Sequence, residues 1–403
     1  MSRPAPTIRA LAGAALLPLA LAACMASPAP EIATPTPGLP YAFFFAPDAE
    51  AQSALNALMP DNDPAYRALS GAALASAPSL AEALARIESA RAGARAAGAE
   101  RLPNITADAS VRQNRINTTQ FGQAGRQGFV PQEQTSYGAN ITASWDADIF
   151  GRLKAQERAA LARIDAASAQ AQGVRLALLA EIAASVTDWR VIEARAAAID
   201  ADVAAARQLA SLAKVREDAG IAPGFDRVRA EATASSSHVR LAALESERAR
   251  LIGRLVTLTG QDAASVRAAL VSAAPALTPA APPASLPSEL LANRPDVVAA
   301  AANLAASDAD LAAAARARFP RITLSGVIGL LAFSPDDFFD EDSLVGTLTA
   351  GIAGPLLDFG RVRAGIDAAA ADKRAAFAAY QGAVFQALGD AEAGYGLVAA
   401  ADA

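Results

Sequence analysis

The chain carries one imidazole and one thiol, His238 and Cys24, in 403 residues. A Ser-His-Asp or Cys-His nucleophile system would have to be built on His238, and a zinc site of thiolates and imidazoles lacks ligands. His238 stands among Ser235, Ser236, Ser237 and Arg240, the setting of an exposed histidine on a helix surface. Asp336, Asp337, Asp340, Glu341 and Asp342 form an acidic run among Phe333, Phe338 and Phe339, and it reads as a solvated loop between strands, not a cation site. Methionine occurs only at 1, 25 and 59, so no thioether set for copper exists. Neither a dinucleotide-type glycine fingerprint nor a GxxxxGK[ST] phosphate loop is present. With 35 basic against 41 acidic residues and a net charge of −6, the chain has no electrostatic footprint for nucleic acid. The expected catalytic residues, metal ligands and cofactors are therefore none.

Cys24 has a different chemistry. Arg3 and Arg9 form a basic start, Ala10 to Ala20 is an apolar stretch too short to cross a bilayer, and Leu21, Ala22 and Ala23 precede the thiol. This arrangement is similar to a bacterial lipoprotein signal, which implies removal of residues 1–23 and acylation of Cys24, palmitate included. Met25 at the next position, where the signal for retention would be Asp, implies export to the outer membrane. Losing residues 1–23 removes two arginines and no acids, leaving a charge of −8. Residues 24–63 then read as an acylated N-terminus and an extended tether, with prolines from Pro28 to Pro40.

The remaining chain is organised as two copies of one pattern. Arg101-Leu102-Pro103-Asn104-Ile105-Thr106 matches Arg318-Phe319-Pro320-Arg321-Ile322-Thr323 at an offset of 217, and Pro78 matches Pro295 at the same offset. Phe150-Gly151-Arg152 matches Phe359-Gly360-Arg361 at 209. The copies span 64–268 and 289–403, joined by a Pro-rich linker over 269–288. Each opens with a helix, started by a Ser79/Glu82 capping box in the first and by Pro295 in the second, and stopped at Pro103 and Pro320.

Strict alternation follows each stop. Ile105, Ala107, Ala109 and Val111 oppose Asn104, Thr106, Asp108, Ser110 and Arg112, and Tyr137, Ala139, Ile141, Ala143 and Trp145 oppose Ser136, Gly138, Asn140, Thr142 and Ser144. The second copy is similar, with Ile322, Leu324 and Ile328, then Leu344, Leu348 and Ile352. Each copy thus holds one hairpin of strands long enough to cross hydrocarbon when tilted. On pattern alone a half-buried sheet in a soluble domain is the alternative reading of these strands. Four strands cannot close a barrel, and open edges are not viable in lipid, so a membrane role requires several chains to pool strands, three giving twelve.

From Gly151 to about Asp218 a run without proline keeps helical spacing through Leu176, Leu179, Ile182, Val186, Trp189 and Ile192. Its 68 residues would extend roughly 100 Å. A turn at Gly220, Pro223 and Gly224 ends it, and a returning helix covers Asp226 to about Thr259. The chain holds 111 alanines, which favour helix while burying little area each. No uninterrupted apolar run of about 18 residues follows the N-terminal segment.

The stretches Ser144-Trp145-Asp146 to Leu153, Leu291-Ala292-Asn293-Arg294-Pro295-Asp296-Val297, Ala317 to Ile322 and Leu357-Asp358-Phe359-Gly360-Arg361 resemble, in order, the motifs of TolC-like outer-membrane efflux lipoproteins. The resemblance covers about residues 24–403. It implies a mixed α and β membrane protein, a homotrimer whose twelve-stranded β-barrel, four strands per chain, continues into a long α-helical barrel in the periplasm. It also implies no enzyme activity but a passive exit duct, working with a periplasmic adaptor and an inner-membrane pump, lipid-anchored in the outer membrane. Ile105, Ala107, Tyr137, Ile141, Trp145, Ile322, Leu324, Leu348 and Ile352 would face lipid, and Gly220, Pro223 and Gly224 would form the periplasmic hairpin turn. A type I protein-secretion duct shares the fold, and a periplasmic helical scaffold lipoprotein that never inserts is the alternative from another class. The second copy is expected to be truncated, 66 residues shorter than the first after its Gly-Arg pair.

Overall fold

A computed structural model describes residues 30–45, 59–115, 117, 133–221, 223–273, 275 and 287–402. The described chain runs α1 (Pro64–Ser76), α2 (Pro78–Ala99), β1 (Asn104–Arg115), β2 (Glu133–Asp146), α3 (Arg152–Asp218) and α4 (Phe225–Thr259). It continues through α5 (Ala263–Leu270), α6 (Pro287–Asn293), α7 (Pro295–Arg316), β3 (Arg321–Ala332), β4 (Leu344–Ala353) and α8 (Arg361–Asp402), with a 3-10 turn at Glu341–Ser343 before β4. Two compact units are formed. One comprises Ser89–Ala166 and Ala300–Gln381 with described residues up to Thr36; the other comprises described residues of Pro37–Glu88, Ala167–Ala299 and Gly382 onward.

The four strands lie in the first unit as one antiparallel sheet in the order β1-β2-β3-β4. The hairpins hold the same register at the offsets read from the sequence: Ile105 stands opposite Ala143, and Ile322 opposite Ile352. Between them β2 pairs with β3, Trp145 opposite Leu324 and Tyr137 opposite Ala332. Every residue of β1 is exposed, and β4 nearly so. Leu311, Ile366 and Ala370, joined by Ile32, make a small helical core in the same unit.

The second unit buries the larger core. Leu69, Ile182, Val186, Trp189, Leu255, Val266 and Leu270 converge from α1, α3, α4 and α5, each large aliphatic side chain there contributing about 1.5–3 kcal/mol. The buried stripe of α3 passes through Leu178, Ile182, Ser185, Val186, Trp189 and Ile192, whereas Leu176 is exposed and Leu179 only partly covered. Helical spacing alone admits either row, and the position of the partner helices decides between them. Arg190 ties this core together: it makes a two-pronged pair with Asp63 at 3.0 Å and donates to the carbonyls of Leu270 (3.0 Å) and Ser272 (2.9 Å).

Several expectations are corrected. Ala77 and Pro78, not Ser79, start α2: the Leu80 and Ala81 amides bond to the Ala77 carbonyl, and Glu82 pairs with Arg86 one turn on. Pro78 has no amide to leave unsatisfied and presets the helical φ, as Pro295 does at the start of α7. The helices also end at Ala99 and Arg316, four residues before each proline helix stop. The linker over 269–288 is shorter at both ends, because Asp262 caps α5 and draws Val266 and Leu270 into the core while α6 begins at Pro287; residues 276–286 lie outside the described ones. The tether has an apolar anchor: Phe43 is buried and its ring lies 5.6 Å from Tyr395, while the Phe44 amide donates to Glu392 at 2.8 Å. Finally, two helical stretches, Pro64–Ala99 and Pro295–Arg316, are long and apolar enough by composition to cross a membrane. Alanine supplies most of that hydropathy, and α7 pairs Asp308 with Lys373 and Asp310 with Arg163. We therefore read α7 as a packing helix.

Candidate functional site

Pairing places all nine side chains expected at lipid on one face of the sheet. Ile105 and Ala107 stand opposite Ala143 and Ile141; Ile141 and Trp145 stand opposite Ile328 and Leu324; Ile322 and Leu324 stand opposite Ile352 and Ala350, with Leu348 opposite Gly326. Tyr137, opposite Val111 and Ala332, completes the row. Side chains alternate across a strand, so the opposite face carries Thr106, Asp108, Thr142, Asn140, Ser325 and Thr349, with Asn140 donating to Asp108 at 3.2 Å. That face turns apolar at the far end of the second hairpin, where Val327, Leu331 and Val345 lie. Ile105, Ile141, Leu348 and Ile352 are all more than half exposed. An apolar sheet face of this extent is a membrane or protein interaction surface.

The strand-to-helix junctions are built from aspartates. The Asp148 carboxylate accepts the Leu153 and Lys154 amides, both at 2.9 Å, and so caps α3. Asp358 caps α8 through the Gly360 (3.1 Å) and Val362 (2.8 Å) amides, and those bonds hold its carboxyl below the usual range. When the Phe-Gly-Arg triplets are aligned, the two aspartates differ by one residue, which is why no single capping motif marks both. Phe150 stacks on Phe319 with ring centroids 4.7 Å apart and planes 10° from parallel. The Trp145 indole donates to the Arg101 carbonyl at 2.9 Å, tying β2 to the turn before β1. In the Asn-Arg-Pro-Asp stretch, Arg294 reaches Asp296 at 2.6 Å and Asp390 at 2.9 Å, and its hydrogen bonds hold the Asp296 carboxyl low.

At the other end of α3 the helical hairpin turns through Gly220, Pro223 and Gly224; Ala222 lies outside the described residues. The Gly220 amide bonds to the Glu217 carbonyl and the Ile221 amide to the Arg216 carbonyl, both at 2.9 Å, the Schellman closure of a helix end. Gly220 has φ 68°. Glu217 then takes the Arg227 side chain at 2.8 Å, and Arg227 also bonds Glu231. A Cβ on Gly224 would overlap the Glu217 carboxylate. Replacing Gly220 with Ala is expected to cost about 1 kcal/mol locally, because an L residue is strained in left-handed backbone. Hydrogen exchange would show it as faster exchange at Ala219 to Ile221, with α5 unaffected.

His238 is exposed on α4, and among the described residues no group of three or more His, Cys, Asp or Glu could hold a metal ion. Cys24 lies outside the described residues. Phe43, Asp148, Arg190 and the Phe150–Phe319 stack are the structural residues that sequence reading missed; the aromatic run 41–45 was the available signal for the first.

The outer membrane efflux protein family model matches residues 69–261 and 286–403. The chain belongs to that family. Outer membrane protein OprJ of Pseudomonas aeruginosa is 30% identical over 323 residues, 80% of this chain and 66% of OprJ. The pyoverdine export outer membrane protein OpmQ of Pseudomonas putida is 28% identical over 313 residues, 78% of this chain and 66% of OpmQ. The chain thus spans about two thirds of the length of the curated relatives it matches. In structure it is similar to the outer-membrane channel OprN, with a TM-score of 0.81 and 27% identity over 92% of this chain and 82% of that one.

Proposed function

We propose that three copies of this chain pool their hairpins into a twelve-stranded barrel and serve as the outer-membrane exit duct of a tripartite efflux system for small molecules. The observation that carries this reading is a four-stranded sheet with one apolar and one mainly polar face, open at both edges, in a chain of the efflux family. In lipid the apolar face needs no protein cover, and closure by further copies satisfies the edges. The α3–α4 hairpin would extend into the periplasm and offer its Gly220 tip to an adaptor fed by an inner-membrane pump. Because the duct is passive, its walls need hold no catalytic group. Outer-membrane fractions should contain heat-modifiable trimers, and the gene, expressed with its adaptor and pump, should restore drug resistance to a strain lacking its own duct. Absence of trimers would favour the non-inserting scaffold, and protein export without a change in susceptibility would favour the type I duct.

Cys24 is proposed as the lipid attachment point after loss of residues 1–23. Each buried acyl CH₂ adds about 0.8 kcal/mol of membrane affinity, supplementing the Phe43 contact as an anchor for the tether. Mass spectrometry of the mature N-terminal peptide should find an acylated cysteine; an unmodified thiol would end this part of the proposal.

A further inference from the structure

The two ends of the sheet differ in charge. All four strands join helices at one end, through 96–104, 146–155, 313–321 and 353–364, and these stretches, each taken with one helical turn, hold eight basic side chains against four acidic. At the other end, 112–136 and 331–345 hold three basic against six acidic. The whole chain carries −6, so the basic surplus at the helix end is local. Six of its eight basic residues are three positions used twice: Arg101 and Arg318, Arg152 and Arg361, and Lys154 and Arg363 correspond through the repeat offsets. None of the four acids recurs in this way. Arg101 and Arg152 are paired, with Glu157 and Asp146, whereas Lys154 is exposed and Arg363 is 88% exposed, with Asp367 4.0 Å away. Exposed apolar side chains stand at the same end, Leu102, Ile149, Leu356 and Phe359 among them. Trp145 closes the apolar row of β2 there, its indole bonded to the Arg101 carbonyl. Farther along, the apolar face holds a concavity of about 610 Å³, floored by Ala107, Ala109 and Ala139 and rimmed by Ile141, Ile328 and Leu330. Ala107 is roughly 10 Å from the helix end of β1.

We infer that this end of the sheet binds an anionic phospholipid: Lys154, Arg318 and Arg363 meet its phosphate, the exposed apolar side chains meet its glycerol region, and the concavity takes an acyl chain. The inference rests on the duct reading above, which sets the helix end of the sheet at one bilayer surface, and it names the lipid which that surface selects. Charge decides the occupant. A headgroup with a phosphate and no amine gains from a basic surplus, whereas a zwitterionic headgroup brings a cation of its own. Tryptophan at the end of an apolar row, with its N–H bonded, is the side chain that suits the boundary between hydrocarbon and headgroup. The acidic far end lacks the complementary charge, so the selection is confined to the leaflet on the helix side.

Quenching of tryptophan fluorescence by brominated lipid tests this in the full-length protein, reconstituted in phosphatidylcholine vesicles. Trp145 is 38% exposed at the junction, and Trp189, buried in the helical core, supplies a background common to every lipid. Phosphatidylglycerol with brominated chains should quench with an association constant about fivefold above that of brominated phosphatidylcholine, the contribution of one basic side chain at an anionic surface. The preference should vanish near about 1 M salt, where the screening length falls to about 3 Å. Lys154→Gln with Arg363→Gln should remove it, while Arg112→Gln with Arg115→Gln, at the far end, should leave it. Equal quenching by the two lipids, or a preference that survives Lys154→Gln with Arg363→Gln, would overturn the inference and leave the duct reading standing. A parent chain quenched by neither lipid is not in the bilayer, and that result would overturn both.

Discussion

Ile141→Arg is expected to keep the protein out of the outer-membrane trimer, while Thr142→Arg assembles. The two positions are neighbours in the middle of β2, so they share strand pairing and depth and differ in the face they occupy. Ile141 lies in the apolar row with Ala107 and Ile328 beside it, and Thr142 in the polar row with Thr106 and Val327. An arginine facing lipid near the bilayer middle costs roughly 2–4 kcal/mol, and a symmetric trimer would incur that cost in all three copies. At Thr142 the guanidinium would meet an aqueous lumen and keep its hydration. The readout is the amount of trimer in outer-membrane fractions at equal expression. Equal assembly of both variants would defeat the lipid-facing assignment, and with it the barrel.

Arg190→Ala is expected to be the most destabilising single change in the helical part, by about 3–5 kcal/mol. The guanidinium is 12% exposed and the Asp63 carboxylate 5%, so truncation leaves a buried anion without its partner and two carbonyls, of Leu270 and Ser272, without a donor. Asp63 is also the N-cap of α1, accepting the Ala65 amide at 2.8 Å, so the start of that helix loosens too. Lysine would not substitute, since a point charge cannot reproduce a planar fork that meets both Asp63 oxygens, the Leu270 and Ser272 carbonyls and the Ser272 hydroxyl. Burial pushes the Asp63 carboxyl up, but the hydrogen bonds from Arg190 and Ala65 outweigh it and hold the group below its ordinary 3.8. A depressed carboxylate stabilises the fold above its unfolded value, and that contribution is lost as pH falls through the folded one. The parent protein should therefore lose more stability than Arg190→Ala on acidification below about pH 4, where the carboxylate begins to be protonated. Thermal unfolding followed by helical circular dichroism at neutral and acid pH measures both effects. A variant that melts with the parent at neutral pH would show the pair to be dispensable.

The strands were legible because alternation is a local property: a period of two in Ile105 to Val111 and Tyr137 to Trp145 puts each side chain on a face before any partner is known. The matching of the copies through Pro103 and Pro320 likewise anticipated equal hairpin registers. What pairs with what between hairpins was not legible, since β2 and β3 meet from distant parts of the chain. Arg190 was missed for the same reason: it and Asp63 are 127 positions apart, and neither belongs to a motif. On α3 the spacing identified a helix but mixed two rows, because only the positions of α1, α4 and α5 decide that Leu178 turns inward and Leu176 outward.

The strand order has a consequence for how the protein is made. Each hairpin is local, but the β2–β3 seam joins strands separated in the chain by everything from α3 to α7, so it cannot close before β3 has been synthesised. Formation of that seam depends on contacts far apart in sequence, which makes it slow compared with either hairpin. Until it forms, the two hairpins present four unpaired strand edges instead of two, beside an uncovered apolar face. If the chain serves as the proposed duct, the interval before its strands reach the membrane is when this fold is most open to aggregation.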